Sequence, residues 1–258
     1  MKGIALPGIE GRRVLVTGGS RGIGRAVVRL LARAGASVGV AYFTDGEAAD
    51  SIVSEAEGIA PDSRFWSEAA DLSEEADCDR LFSRVDREFG GLDGFVGNAG
   101  IWNAEPSPIE ALSAQEWDRM LAVNLTSIYL TTRAAVARMG PGGRIVLLSS
   151  TAGQRGEAEH SHYAASKGAI ISFTKSIATE LGPRDITVNA VAPGWVDTEM
   201  SASVLRTAER SRIEADVPLR RIGTADDLAG PTVFLLSDLA RHITGEVLNV
   251  NGGSVLCG

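Results

Sequence analysis

TGGSRGIG, residues 17–24, joins the apolar run RRVLV to the helical stretch RAVVRLLARAG. Glycines let a backbone turn tightly and approach a pyrophosphate, and a helix that follows them offers unpaired N–H groups and the positive end of its dipole to that anion. The glycines from Gly18 to Gly24 are spaced G-x-x-x-G-x-G, and not in the common pattern G-x-G-x-x-G. Between a strand and a helix this stretch predicts a phosphate-binding loop, whereas alone it is equally compatible with a structural turn.

Short apolar runs alternate with stretches of helical period along the rest of the chain. The later runs are SVGVAYF, SRFWSEA, LDGFVGNAG, GRIVLLSS, DITVNAVAPG and EVLNVNGG. Continuous apolar strands separated by helices are typical of a parallel sheet that is covered on both faces. We therefore predict an α/β fold: a single doubly wound, Rossmann-type domain over residues 1–258, with roughly seven parallel strands and helices on both faces. In this architecture ligands bind beyond the carboxyl ends of the strands.

The composition limits the possible partners. The chain has 258 residues, 44% of them hydrophobic, so a sizeable core can form within one domain. The net charge of -8 and the isoelectric point near 5.0 argue against nucleic acid or an anionic membrane as a partner. No segment is a membrane-spanning apolar run, and Cys78 and Cys257 form no CxxC pair. We predict a soluble, cytoplasmic protein without a disulfide framework or a cysteine metal site.

Three predicted helices carry a start signal in their own residues. Ser113 with Glu116 forms an S-x-x-E capping box, Thr224 with Asp227 resembles one, and Ser73 stands just before the helical stretch EEADCDRLF. We therefore predict a helix that begins at each of these places.

Tyr163 precedes Lys167 by four residues in the stretch HYAASK. On a helix two such residues share a face, and a nearby cation favours the phenolate and lowers the pKa of the phenol toward a working range. The pair therefore predicts an acid–base group. Taken alone, it is equally compatible with a surface pair worth a few tenths of a kcal/mol.

Several further motifs stand in the order in which one enzyme family carries them. They are Asn98-Ala99-Gly100, Ser150 before Tyr163, YAASK at 163–167, Pro193-Gly194, and the C-terminal stretches PLRRIGTADDLAGPTVFLLSD and ITGEVLNVNGG. Together with the glycine loop, they make the chain resemble the short-chain dehydrogenases/reductases nearly from end to end, and in particular the 3-oxoacyl-acyl-carrier-protein reductases of similar length. The combined set is far more specific than any one motif, so it favours a catalytic role for Tyr163 and Lys167.

The resemblance implies hydride transfer between a nicotinamide ring and a carbonyl or alcohol carbon. Tyr163 would be the general acid in reduction and the base in oxidation. Lys167 would lower the pKa of the phenol and hydrogen-bond the nicotinamide ribose. Ser150 would donate to the same substrate oxygen, while strand alternation turns Ser149 to the other face. Asn124, in AVNLTS, would hold a water beside the lysine, although a helical asparagine alone is more often a buried group bonded to backbone.

The resemblance also implies which residues bind the cofactor. Around the pyrophosphate and the adenosine ribose these are Gly18, Ser20, Arg21, Ile23 and Gly24. The adenine would contact Asp71 and Leu72, which can also be read as the cap of a strand end. The nicotinamide half would contact Asn98, Ala99, Gly100, Tyr163, Lys167, Pro193, Gly194, Val196 and Thr198.

The choice between NAD and NADP depends on the end of the second strand. An acidic residue there binds the ribose hydroxyls and repels a 2'-phosphate, but this chain has Tyr42 and then Phe43. Arg21 could pair with a 2'-phosphate and Thr44 could donate to it, while Asp45 would oppose it. We therefore expect NADP or NAD, with NADP favoured.

The predicted substrate contacts are Ser150, Trp102 and Trp195. Residues from Trp195 to about Pro218 are predicted to form a lid that excludes water, with helical packing as the alternative for that segment. The stretch GQRGEAEHSHY is unusually polar for a pocket wall, which suits either a hydroxylated substrate or a solvated rim. We predict no metal site, because His160 and His162 lack a third ligand at ligand spacing.

The predicted function is an NAD(P)(H)-dependent oxidoreductase that interconverts a ketone or aldehyde and an alcohol, with tyrosine as general acid and base. Reduction of a 3-oxoacyl thioester on an acyl carrier protein is the alternative, but an acidic carrier needs a basic patch, and only Arg138, Arg144 and Arg184 suggest one. A non-catalytic dinucleotide-binding sensor would not need to keep all four catalytic residues. By resemblance the protein is a homotetramer, paired through the helices near 116–139 and 161–181.

Overall fold

A seven-stranded parallel sheet forms the centre of the computed structural model, which describes residues 6–256. The strands are β1 (Arg13–Thr17), β2 (Ser37–Tyr42), β3 (Phe65–Ala69), β4 (Leu92–Gly97), β5 (Met139–Leu148), β6 (Thr187–Pro193), β7 (Val196–Asp197), β8 (Gly223–Thr224) and β9 (Val247–Val250). The sheet order is β3-β2-β1-β4-β5-β6-β9, while β7 and β8 pair separately. All its pairings are parallel, and the order reverses between β1 and β4. The predicted doubly wound α/β fold is confirmed.

The helices cover both faces of this sheet. They are α1 (Gly22–Arg33), α2 (Gly46–Ile59), α3 (Glu75–Phe89), α4 (Ala114–Leu121), α5 (Ser127–Val136), α6 (Thr151–Arg155), α7 (Ser161–Leu181), α8 (Ala202–Leu205), α9 (Glu209–Asp216) and α10 (Ala225–Leu236). Alternation along β1 divides the core in two, because successive side chains of a strand point to opposite faces. Val14 and Val16 pack with α1, α2 and α10, whereas Leu15 packs with α3, α5 and α7.

The helix starts follow local rules at two of the three predicted places. Ser113 and Glu116 form the reciprocal capping box of α4, and Thr224 and Asp227 form that of α10. Ser73 is not a cap: α3 begins after Glu74, and the Ser73 hydroxyl donates instead to Asp71 at 2.6 Å. The helix therefore begins close to the predicted place, with Glu74 and not Ser73 at the N-cap position.

Two further sequence predictions concern cysteine and the membrane. Cys78 is buried on α3, and burial raises the pKa of its thiol to about 11, so it is an inert core residue. Cys257 lies outside the described residues. Within residues 6–256, the helices are too short or too polar for any of them to cross a bilayer.

Candidate active site

A cleft runs across the carboxyl ends of the central strands, where the strand order reverses. It consists of two adjoining cavities, one beside the glycine loop and one beside α7. The residues that line both cavities are Ile23, Asn98, Gly100, Ile101, Thr198 and Met200. This is the position at which doubly wound sheets bind a ligand, and the shared lining makes the two cavities one elongated site.

The glycine loop is fixed at the first of these cavities by the segment after β4. The Asn98 amide donates to the Thr17 and Gly18 carbonyls at 2.9 and 3.0 Å, and the Thr17 hydroxyl accepts from the Asn98 and Ala99 N–H groups. Gly18 has a φ of +63°, and a Cβ on Gly24 would stand 2.2 Å from the Gly18 carbonyl oxygen. Only glycine fits at both positions, because one needs a left-handed backbone and the other has no room for a side chain.

The start of α1 fits an anion. Arg21 is the N-cap residue, and among the described residues no side chain hydrogen-bonds the exposed N–H groups of the first turn. Those groups and the helix dipole are therefore available to a phosphate. The loop and the helix start together fit the pyrophosphate of a dinucleotide, which is the group that the sequence predicted for this place.

The adenosine end of the cleft is lined by residues from the ends of β2 and β3. Tyr42, Phe43, Asp71 and Leu72 all line this cavity. Asp71 accepts from both the N–H and the hydroxyl of Ser73, so its carboxylate is engaged in a local turn. An adenine at this end of the cleft could therefore contact the backbone around Asp71 and the side chain of Leu72.

Tyr163 and Lys167 share one face of α7 and border the second cavity. The Lys167 ammonium lies 5.9 Å from the centroid of the Tyr163 ring and donates to the Leu148 carbonyl at 2.9 Å. Ser150 and Tyr163 both line this cavity, and the Ser150 hydroxyl lies close enough to Tyr163 to act on the pKa of its phenol. The side chains of Tyr163 and Ser150 therefore border the same cavity, beside the buried Lys167.

Ser150 reaches this position because it follows β5 and is the N-cap residue of α6. Its backbone is extended, with φ −168°, and its hydroxyl accepts from the Ala152 N–H at 3.1 Å. Ser149 points the other way and donates to the Lys167 carbonyl at 2.8 Å. Strand alternation thus separates the two serines as the register of β5 predicted.

Close backbone packing fixes α6 against α7. A Cβ on Gly153 would stand 2.5 Å from the Lys167 carbonyl carbon, and one on Gly168 would stand 3.2 Å from the Gly153 carbonyl oxygen. The two helices therefore touch backbone to backbone, which positions the start of α6, and so Ser150, relative to Tyr163 and Lys167.

Asn124 lies in a π-helical turn, Ala122–Thr126, between α4 and α5. The side chain is fully buried: its oxygen accepts from the Ile101 N–H at 2.7 Å, and its amide donates to the Ile101 carbonyl at 2.9 Å. Asn124 therefore fixes the loop after β4 beside Lys167. In the sequence analysis, a buried asparagine bonded to backbone was the alternative to a residue that holds a water. π-Helical turns often mark functional sites.

Aromatic side chains form the outer wall of the second cavity. The Trp102 ring stacks on His160, with centroids 5.2 Å apart, and meets Trp195 edge to face at 5.6 Å. Glu157 lines the same cavity as Trp102. The sequence predicted both tryptophans as substrate contacts but could not tell Glu157 from the solvated rim.

Comparisons with known proteins agree with this geometry. A family model described as "Enoyl-(Acyl carrier protein) reductase" matches residues 18–254. Among solved structures, a short-chain dehydrogenase/reductase from Serratia marcescens is 34% identical, with a TM-score of 0.89 over 95% of this chain and 98% of that one. The chain belongs to the short-chain dehydrogenase/reductase family.

Some relatives of this short-chain dehydrogenase/reductase are named for an activity, and some have been solved with a bound ligand. It is 38% identical to 3-oxoacyl-[acyl-carrier-protein] reductase FabG of Aquifex aeolicus, over 95% of this chain and 98% of the relative. It is also 37% identical to a short chain dehydrogenase from Burkholderia cenocepacia solved in complex with NADP, with a TM-score of 0.89 and 95% and 98% coverage. As a family member, the protein is an NAD(P)-dependent oxidoreductase that acts on carbonyl and alcohol groups. The sensor alternative is therefore not retained.

The pKa values in this reductase site are set mainly by burial. Burial raises the pKa of Tyr163 to about 12, the Ser150 hydrogen bond lowers it, and the charge of Glu157 raises it. Burial lowers the pKa of Lys167 to about 8. The pKa of the phenol is therefore raised overall, because desolvation of the phenolate exceeds the other effects.

The buried lysine predicts how the rate of ketone reduction changes with pH. With a pKa of about 8, Lys167 loses its charge as the pH rises through 8, while Tyr163, at about 12, keeps its proton. We expect kcat/KM for the ketone to be constant below pH 7 and to fall about tenfold per pH unit well above pH 8. Initial rates between pH 6 and 10 measure this. In Lys167→Arg, whose guanidinium stays charged, the fall should vanish. A decline at the same pH in that variant would contradict the assignment.

No metal site accompanies these residues. Among residues 6–256, no three histidine, cysteine, aspartate or glutamate side chains are grouped so that they could hold a metal ion. His160 is instead part of the aromatic wall, and His162 is buried, which lowers the pKa of its imidazole.

Proposed function

We propose that this protein reduces a small ketone to an alcohol with NADPH, with Tyr163 as the proton donor. The observation that carries the proposal is that Ser150, Tyr163 and Lys167 line one cavity of a cleft that continues to the glycine loop. The same residues would run the reverse oxidation, with the phenolate as base.

The proposed roles follow from the positions of the side chains. A bound nicotinamide cofactor supplies or accepts the hydride. Ser150 donates a hydrogen bond to the substrate oxygen and stabilises the charge that develops there. Tyr163 transfers its phenolic proton to that oxygen. The Lys167 ammonium, fixed by the Leu148 carbonyl, stabilises the phenolate that remains. Asn124 holds the loop that borders the lysine.

The residues proposed to hold the cofactor line the cleft in chain order. They are Gly18, Ser20, Arg21, Ile23, Tyr42, Phe43, Asp71, Leu72, Asn98, Ala99, Gly100, Tyr163, Lys167, Pro193, Gly194, Val196 and Thr198. Gly24 is proposed with them; it does not line the cleft itself but packs against the Gly18 carbonyl of the loop. The fit is supported by the uncapped start of α1 and by the glycines that bring the loop backbone close to the cleft.

A preference for NADP is supported by the residues after β2. Asp45, which would oppose a 2'-phosphate, is the N-cap of α2 and accepts from the Ala48 N–H at 2.9 Å. Asp45 lines the cavity together with Arg21 and Thr44, but its carboxylate is engaged with the start of the helix, whereas Arg21 and Thr44 can pair with and donate to a phosphate. We expect Arg21→Ala to raise the KM for NADPH about tenfold and the KM for NADH less than twofold, because the pyrophosphate common to both is held mainly by the loop backbone and only NADPH has the 2'-phosphate that Arg21 would pair with. Initial rates with each cofactor test this, and an equal change in both would contradict it.

The test of the proposed function is a panel of substrates followed by NADPH absorbance. The panel contains simple ketones, hydroxylated ketones, sugars and acetoacetyl thioesters. Turnover of ketones that depends on Tyr163 would support the proposal. If no ketone reacted and only acyl thioesters did, ketone reduction would be wrong.

Reduction of a 3-oxoacyl thioester is a second candidate, because the FabG relatives of Aquifex aeolicus and Escherichia coli are named for that activity. The charge of this chain opposes it: an acidic carrier would approach a protein of net charge -8. Arg138 is paired with Asp86 at 2.7 Å, which reduces the basic character of the predicted patch. The acetoacetyl thioester in the panel decides between the two.

We also propose a single domain in which the segment 195–218 acts as the substrate lid, and a homotetramer. Support for a lid comes from α9, which contributes no buried residue, whereas Leu205 on α8 is buried and anchors the segment.

The homotetramer is supported by Trp117 and Tyr129, which lie in the predicted pairing helices. Both are exposed apolar side chains that a partner could cover. Light scattering should give about four times the 27.0 kDa chain mass; a monomer alone would contradict the tetramer. The cytoplasmic location stays a prediction.

A further inference from the structure

Glu157 is a carboxylate in the wall of the substrate cavity. It lies in the loop between α6 and α7, where Gly156 and Glu159 have φ values of +78° and +60°. These left-handed residues turn the loop sharply. Glu157 lines the cavity and its side chain is 21% exposed, whereas Glu159 is exposed outside it. Two glutamates only two residues apart therefore have different surroundings.

The Glu157 carboxylate lies beside aromatic neighbours. Its distance to the His160 imidazole is 3.9 Å. The His160 ring stacks on Trp102, which meets Trp195 edge to face. A carboxylate has two oxygens and about four lone-pair directions, so these neighbours leave accepting capacity for a substrate group.

The carboxylate also lies close enough to the reacting position to influence it. The charge of Glu157 raises the pKa of Tyr163, and burial raises the pKa of Glu157 itself. A substrate that placed its carbonyl oxygen between Ser150 and Tyr163 would therefore have its remaining atoms near Glu157. A saturated hydrocarbon chain there would leave the buried carboxylate without a new partner, which is unfavourable.

We propose that Glu157 is a specificity-determining residue that accepts a hydrogen bond from a substrate hydroxyl, so that the favoured substrates are hydroxyketones. The inference rests on the proposed ketone reduction and names its substrate class. A hydroxyl is favoured over an ammonium group because the Arg155 guanidinium borders the same cavity and would repel a cation. Sites built to bond a hydroxyl discriminate strongly against an analogue that lacks it.

The test compares four ketones of one chain length: 2-butanone, 1-hydroxy-2-butanone, 4-hydroxy-2-butanone and 1-amino-2-butanone. The quantity is the ratio of kcat/KM for each substituted ketone to that for 2-butanone, in the wild type and in Glu157→Met. Because the intrinsic reactivity of each ketone cancels between the two proteins, the change in this ratio reports Glu157 alone. We expect the ratio for at least one hydroxyketone to fall roughly 10- to 100-fold in the variant. Glu159→Met, the matched control on the exposed neighbour, should keep the wild-type ratio.

A binding measurement accompanies the rates, because Trp102 and Trp195 are fluorescent probes within the site. Titration with butane-1,2-diol and butane-1,3-diol, the alcohol products, should change tryptophan emission without turnover. We expect at least one diol to bind about tenfold more weakly to Glu157→Met than to the wild type. Circular dichroism confirms that the variant is folded.

Each outcome has a distinct meaning. Unchanged ratios and unchanged diol affinity in Glu157→Met would overturn the inference. A wild-type preference for 1-amino-2-butanone that depends on Glu157 would overturn the hydroxyl in favour of an ammonium group. Turnover of 2-butanone with no preference for a hydroxyketone would overturn only this inference, whereas no turnover of any ketone would also overturn the proposed function.

Discussion

Tyr163→Phe lowers kcat for ketone reduction by roughly 10²- to 10⁴-fold in the expected result, because the substrate oxygen loses its proton donor. The phenyl ring fills the same space, so the cavity beside Ser150 keeps its shape. The affinity for NADPH should change less than threefold, since the hydroxyl faces Ser150 and not the glycine loop. Stopped-flow absorbance measures the hydride-transfer step, and fluorescence titration measures cofactor binding.

Tyr129→Phe is the matched control for this substitution. Tyr129 is 46% exposed on α5, where it contacts Arg133 on the same helix. The same atom is removed in both variants, so a general effect of losing a phenolic hydroxyl would appear in both. A Tyr163→Phe enzyme that kept more than half of the wild-type kcat would show that another group donates the proton.

Gly24→Ala is expected to remove most of the cofactor affinity and to destabilise the fold. The new methyl group would stand 2.2 Å from the Gly18 carbonyl oxygen and 2.7 Å from the Asn98 amide nitrogen. Neither can move without displacing the glycine loop, because Asn98 also bonds the Thr17 carbonyl. We expect the Kd for NADPH to rise at least roughly tenfold and the free energy of unfolding to fall by about 1–3 kcal/mol.

Gly58→Ala supplies the control, because Gly58 lies inside α2 with open space around its Cα. Alanine is the better helix former, so this variant should be as stable as the wild type, or more stable by about 0.5–1 kcal/mol. Thermal unfolding without cofactor measures the stability of each variant, and fluorescence titration measures NADPH affinity. Wild-type affinity in Gly24→Ala would mean that the loop is not tightly packed in solution.

The sheet was predictable from sequence because its information is local. Val14, Leu15 and Val16 are all fully buried, and a run without polar alternation is typical of a strand covered on both faces. The capping boxes that begin at Ser113 and Thr224 depend only on residues three positions away. Such features need no knowledge of which distant segments meet.

The electrostatics of the site were less predictable. The sequence shows that Lys167 is one helical turn from Tyr163, but not that both are buried, so it could not predict that burial raises the pKa of the phenol and lowers that of the ammonium. The π-helical turn at Asn124 depends on Ile101, which is distant in sequence, and no local pattern marks it. Glu157 and Glu159 differ only through the backbone turn between them.

Direct contact between Gly153 and the backbone at Lys167 and Gly168 has an evolutionary consequence. The spacing of the two hydroxyls that handle the substrate oxygen is set by main chain against main chain, and not by the shapes of apolar side chains. During evolution one aliphatic core residue can therefore be replaced by another, and the surrounding loops can change the substrate selectivity, while the spacing of the two hydroxyls stays the same.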